Sequence, residues 1–144
     1  LYLAALSANR QMLQSIRRYV ENGGKLLAEC GGMMYLCDEI RDKNGDVFPM
    51  VGVLHQSATM ENMKLRLGYR TLLYNDARLK GHEFHYSRLV EQQDPLPSCA
   101  VAYTAKGVET DTPLYHYKNV WAGYTHLYWA DPAGNDWFTK FIIK

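Results

Sequence analysis

Three cysteines in 144 residues, at positions 30, 37 and 99, are too few and too irregularly spaced for a disulfide framework. Their odd number fits a reducing, cytoplasmic setting better than a secreted scaffold. No apolar run approaches the roughly twenty residues that span a bilayer, and no signal peptide is expected. With a formal net charge of +1 and both signs interspersed, no basic patch for nucleic acid forms. No histidine or cysteine pair has the spacing of a metal site, and no Gly-Lys-Ser/Thr phosphate loop occurs. Internal repeats and low-complexity segments are also missing. What remains is ordinary globular composition, 47% hydrophobic and 22% charged, sufficient for one buried core. The opening Leu1-Tyr2-Leu3-Ala4-Ala5-Leu6 enters a helical stretch without an initiator methionine, so an N-terminally truncated piece is expected.

The most informative segment is Lys25-Leu26-Leu27-Ala28-Glu29-Cys30-Gly31-Gly32-Met33-Met34-Tyr35-Leu36. An apolar strand that stops at a sharp turn and feeds a helix exposes the turn side chain and aims the first helical N–H groups at whatever it attacks. The two glycines are expected to relieve crowding and admit a substrate, and the helix start is expected to favour the thiolate. A lone cysteine is ordinarily a small buried apolar residue. Its place at the turn singles out Cys30 as nucleophile, whereas Cys37 reads as core on the same helix and Cys99 as a strand residue.

Apolar residues Met12, Leu13, Ile16, Tyr19 and Val20 predict a helix over 9–21, stopped by Asn22-Gly23-Gly24. A buried strand over 25–29, the Cys30 turn and a helix to 40 follow, and 41–46 reads as a polar loop. Strands are expected at 64–73, 79–90, 99–105, 113–117 and 120–128, normally antiparallel, before a last helix at 133–143 with Trp137, Phe138, Phe141 and Ile142 on its apolar face. The pattern is α/β, a parallel portion extended by antiparallel strands.

A cysteine nucleophile needs a base. His126, in Gly123-Tyr124-Thr125-His126-Leu127, lies far from Cys30 in sequence, but catalytic partners meet in space. In Gly81-His82-Glu83-Phe84-His85-Tyr86-Ser87, strand alternation sends His82 and Phe84 to one face and Glu83 and His85 to the other, which argues against a shared metal. His55 and His116 read as hydrogen-bonded, half-buried residues.

The Glu29-Cys30-Gly31-Gly32 turn, the Gly81-to-Ser87 run and the Gly123-to-Leu127 run, in that order, resemble the class I glutamine amidotransferase domain of the cobyrinic acid a,c-diamide synthases. The resemblance covers most of the chain, and the Gly-His-Glu-Phe-His-Tyr-Ser run is its most discriminating piece. It implies a flavodoxin-like sheet with helices on both faces, and it reads residues 1–144 as the glutaminase domain at the C-terminal part of a larger synthase. Glutamine would be hydrolysed here, and the ammonia would amidate a cobyrinate-type corrinoid in an N-terminal synthetase domain that uses ATP and Mg²⁺. Neither cofactor is implied for this domain.

By the same resemblance Cys30 is the nucleophile, His126 its partner and the Gly31 N–H an oxyanion donor, with a second donor expected from an upstream loop. Many class I glutaminases carry an acid two residues after the histidine, where this chain has Tyr128. Glu83 is the candidate to orient His126 in its place, with His85 as a further supporting residue. Other readings stay open: a related tetrapyrrole amidase, a cobyric acid synthase module, a cysteine hydrolase acting on another amide, or a catalytically incomplete scaffold that docks a partner through Trp121, Tyr124, Tyr128 and Trp129.

Overall fold

A computed structural model describes residues 2–143. Asn9 closes the short helix α1 (Leu3–Ala8) and caps α2 (Arg10–Glu21), its side-chain oxygen accepting the Met12 N–H at 3.1 Å. The apolar stripe of α2 is narrower than its sequence suggests. Leu13 and Val20 are buried and Ile16 packs beside them, whereas Met12 and Tyr19 are about half exposed. Gly23, at φ +88°, turns the chain into β1 (Leu26–Glu29), and Cys30 links β1 to α3 (Gly31–Leu36).

The helix expected to reach residue 40 stops at Leu36. Residues Cys37–Arg41 form β2 instead, flanked by β3 (Val47–Pro49), antiparallel, and β4 (Leu54–Thr59), parallel. Ladder bonds on both edges of β2 outweigh the weak helical preference of Cys37-Asp38-Glu39-Ile40. Cys37 is still a core residue, fully buried, its S–H donating to the Met33 carbonyl at 3.5 Å.

The longest pairing joins β5 (Arg66–Tyr74) to β6 (Ala77–His85) across Asn75-Asp76, in register from Arg66↔His85 to Tyr74↔Ala77. Tyr86 breaks β6 from β7 (Arg88–Leu89), which leaves to pair with β4. Then come β8 (Val101–Thr104), β9 (Glu109–Thr110), β10 (Leu114–Tyr117), β11 (Val120–Gly123), β12 (His126–Leu127) and α4 (Pro132–Ile143). Cys99 lies in a bend before β8 rather than in a strand.

Among the described residues three sheets result, ordered β1-β11-β10, β12-β6-β5-β8-β9 and β3-β2-β4-β7. The architecture is α/β, with parallel pairing at β1–β11 and β2–β4 and antiparallel pairing elsewhere among the described residues. The main core packs Val20, Met33, Leu36, Val51, Ala58 and Val120, and a smaller one joins Leu72, Leu79, Ala102 and Leu114. Helix α4 docks through Trp137, whose ring meets Trp121 edge-on at 5.6 Å, while Ile142 faces solvent rather than the core. No helix among the described residues is long and apolar enough to cross a membrane.

Candidate active site

The chain turns at Cys30 with φ 54° and ψ −112°, a left-handed conformation that costs a non-glycine residue about 1–3 kcal/mol. Two backbone bonds hold it there: the Cys30 N–H donates to the Gly123 carbonyl at 2.8 Å, and the Met34 N–H donates to the Cys30 carbonyl at 3.1 Å. The glycines play a smaller part than expected. An added Cβ at Gly31 would meet nothing within 4 Å, and at Gly32 only the Ala28 methyl at 3.5 Å, so this turn leaves open space over Gly31 rather than relieving a clash.

The thiol of Cys30 is half-buried, and its sulfur lies 3.8 Å from the Phe84 carbonyl on β6. Burial pushes its pKa above the ordinary value. The Gly31 N–H pulls it down, while the negative charges of Glu29 and Glu83 push it further up. The helix start does favour the thiolate through the Gly31 N–H, as expected, but burial and the two carboxylates outweigh it. A helix of six residues offers one useful N–H, too little against desolvation and two carboxylates.

Parallel pairing of β1 with β11, register Glu29↔Gly123, brings the carboxyl ends of both strands together. His126 follows Gly123 by three residues and lies in β12 of the neighbouring sheet, so the segment carrying it leaves β11 at the end where Cys30 leaves β1. β12 lies on β6 with His126 opposite His82, and the two imidazoles stack with centroids 5.0 Å apart. This close approach requires Gly81, where any Cβ would collide with the His126 carbonyl oxygen.

Alternation along β6 follows the sequence expectation, with Glu83 and His85 buried and Phe84 exposed. It also removes Glu83 as orienting partner of His126, whose ring lies on the His82 side of the strand. Glu83 instead accepts hydrogen bonds from Arg70 Nε at 2.8 Å, Thr112 Oγ1 at 2.6 Å and His85 Nε2 at 2.6 Å. Burial alone would raise its carboxyl. Hydrogen bonds from His85 and Thr112 and the charges of Arg66 and Arg70 overcome that and hold it at about 2.

The other nitrogen of His85, Nδ1, lies 2.8 Å from the Ser87 carbonyl. Both ring nitrogens thus face acceptors, and both contacts are hydrogen bonds only when the ring carries two N–H groups. His85 lies flat on Tyr124, whose hydroxyl pairs with Ser87 Oγ at 2.9 Å, and Ser87 in turn donates to Met34 Sδ on α3. Tyr124 directly follows the carbonyl that holds Cys30.

A cavity of about 310 Å³ opens beside this network, lined among others by Arg66, Glu83, His85, Asp111 and Tyr124. A second cavity, of about 770 Å³, lies at Lys25, Trp121 and Trp137, by the opposite end of β1 from Cys30. The smaller one shares the walls Glu83, His85 and Tyr124 with the support of the cysteine turn.

His55 and His116 are exposed rather than half-buried. His55 Nδ1 lies 3.1 Å from Asp38 Oδ1, and His116 Nε2 lies 2.6 Å from the Lys118 carbonyl. Sequence reasoning missed Arg66, Arg70 and Thr112, and read Tyr124 only as a candidate docking aromatic. The two arginines fall on one face of a strand, four residues apart, a signal that only the partner strand could interpret. Tyr124 is buried, and of the proposed docking aromatics it serves the interior.

The fold and the cysteine elbow together define an α/β protein of the glutamine amidotransferase type. A solved structure of a glutamine amidotransferase superposes with a TM-score of 0.57 at 17% identity, covering 92% of this chain and 68% of the other. Residues 1–134 match the CobB/CobQ-like glutamine amidotransferase domain, and the chain belongs to that family. Among its relatives are the cobyrinate a,c-diamide synthase of Caldanaerobacter subterraneus subsp. tengcongensis, 38% identical over 85% of this chain and 28% of that protein, and the hydrogenobyrinate a,c-diamide synthase of Stutzerimonas stutzeri, 34% identical over 89% and 29%. The cobyrinate a,c-diamide synthase of Salmonella typhimurium is 30% identical over 90% and 30%. The chain thus spans under a third of the length of these relatives.

Proposed function

We propose that the chain is the glutaminase module of an ATP-dependent, cytoplasmic cobyrinate or hydrogenobyrinate a,c-diamide synthase, supplying ammonia for amidation of corrinoid carboxylates. The observation that carries this reading is Cys30, held at positive φ by the Gly123 carbonyl, three residues before His126. Cys30 sulfur attacks the side-chain carbonyl carbon of glutamine, and the Gly31 N–H faces the developing oxyanion. His126 takes the thiol proton and gives it to the departing nitrogen as the C–N bond breaks, releasing ammonia and leaving a thioester. It then draws a proton from water, whose oxygen adds to the thioester carbon, and gives that proton to the Cys30 sulfur as the C–S bond breaks, releasing glutamate.

ATP and Mg²⁺ act in the synthetase portion of such an enzyme. The present sequence has no Gly-Lys-Ser/Thr loop, and the described residues hold no cluster of three His, Cys, Asp or Glu suited to a metal. The test pairs the chain with its synthetase portion. Cys30→Ser is expected to abolish glutamine-dependent amidation and spare the reaction driven by added ammonia. Loss of neither activity would remove Cys30 as nucleophile.

A further inference from the structure

Glu29 makes a contact that the reaction above does not use. A strand of two residues has little pairing of its own, yet β12 is fixed on both edges. On one, it pairs with β6, and the Tyr128 N–H donates to the Lys80 carbonyl at 2.8 Å. On the other, where a neighbouring strand would stand, the Leu127 N–H donates to Glu29 Oε2 at 2.9 Å. Leu127 is the carboxylate's one hydrogen-bond partner among the described residues, and it directly follows His126. Glu29 is also the last residue of β1 and is joined to Cys30 by one peptide bond, so a single side chain ties the nucleophile's strand to the histidine's strand.

Building on the glutaminase reading, we propose that Glu29 is the positioning residue of His126, in the role for which an acid two residues beyond the histidine is missing. It anchors β12 through Leu127 and sets a negative charge beside the His126 and His82 imidazoles. Burial raises its carboxyl, while the Leu127 N–H and the charges of His126 and His82 lower it. The titratable groups facing this corner are Glu29 of β1, Cys30 of the turn, His82 of β6, His126 of β12 and Tyr128 just beyond it, whose ring centroid lies 5.7 Å from that of His82, with Glu83 acting on Cys30 from the far face of β6.

Two roles for Glu29 have opposite signs. A bystander carboxylate beside Cys30 only opposes the thiolate, so its removal makes the thiol more reactive. A carboxylate that supports the imidazolium stabilises a thiolate–imidazolium pair, so its removal makes the thiol less reactive. The measurement is the rate of Cys30 alkylation by iodoacetamide between pH 5 and pH 9, followed by mass spectrometry on the intact chain. Glu29→Gln keeps an oxygen for Leu127 and loses the charge. It is expected to slow alkylation at pH 7 by about tenfold and move the midpoint to higher pH. Glu29→Asp, which keeps the charge, is expected to recover part of the rate, and in a His126→Ala background Glu29→Gln no longer slows it. A rate that falls with His126→Ala but stays level or rises with Glu29→Gln overturns this role alone. A rate insensitive to His126→Ala overturns it together with the glutaminase reading.

Discussion

The His85 imidazole lies flat against the Tyr124 ring, centroids 3.6 Å apart and planes 8° from parallel. Through this stack the buried charge cluster around Glu83 bears on the residue next to Gly123, whose carbonyl fixes the Cys30 turn. The support of the nucleophile is thus an ionic network reached through one aromatic contact.

His85→Ala should destabilise the protein by about 2–3 kcal/mol, because it opens a void against Tyr124 and strips a buried carboxylate of one partner. Tyr124→Phe keeps the stack and loses only the hydroxyl bond to Ser87, about 1 kcal/mol. Urea unfolding of both variants checks the order; equal losses would mean that the stack carries nothing.

Glu83 makes the fold acid-sensitive in a defined window. Its carboxyl is held at about 2 against an ordinary value of 4.5, so it contributes stability above 4.5 that is lost as pH falls through about 2. Glu83→Gln is expected to be less stable than wild type at pH 7, with the gap closing toward pH 2. A gap constant with pH would show that the charge is not what stabilises.

Gly81→Ala should push β12 off β6 through the His126 carbonyl and part the His82–His126 stack. Glutaminase activity is expected to fall by at least about tenfold, with a stability loss of about 1–3 kcal/mol. Unchanged activity would mean that the histidine strand needs no fixed seat.

The elbow was legible because its parts are contiguous: a short apolar strand, Cys30 and a helix start within one dozen residues. The alternation of Glu83 and His85 was equally readable from period two. What escaped depends on partners distant in sequence. Cys37–Arg41 becomes a strand only because β3 and β4 flank it, and Glu83 reads in the sequence as a partner for His126 because Arg70, Thr112 and His85, which claim it, lie on β5, just beyond β9 and further along β6. Glu29 was visible only as a neighbour of Cys30; its bond to Leu127, 98 residues away, needed the fold.

The most direct measurement is peptide mapping after a glutamine-mimicking chloroketone is applied to the protein. One adduct on Cys30, suppressed by added glutamine and absent after His126→Ala, is the predicted result. An adduct on Cys37 or Cys99, or none on Cys30, would contradict the account.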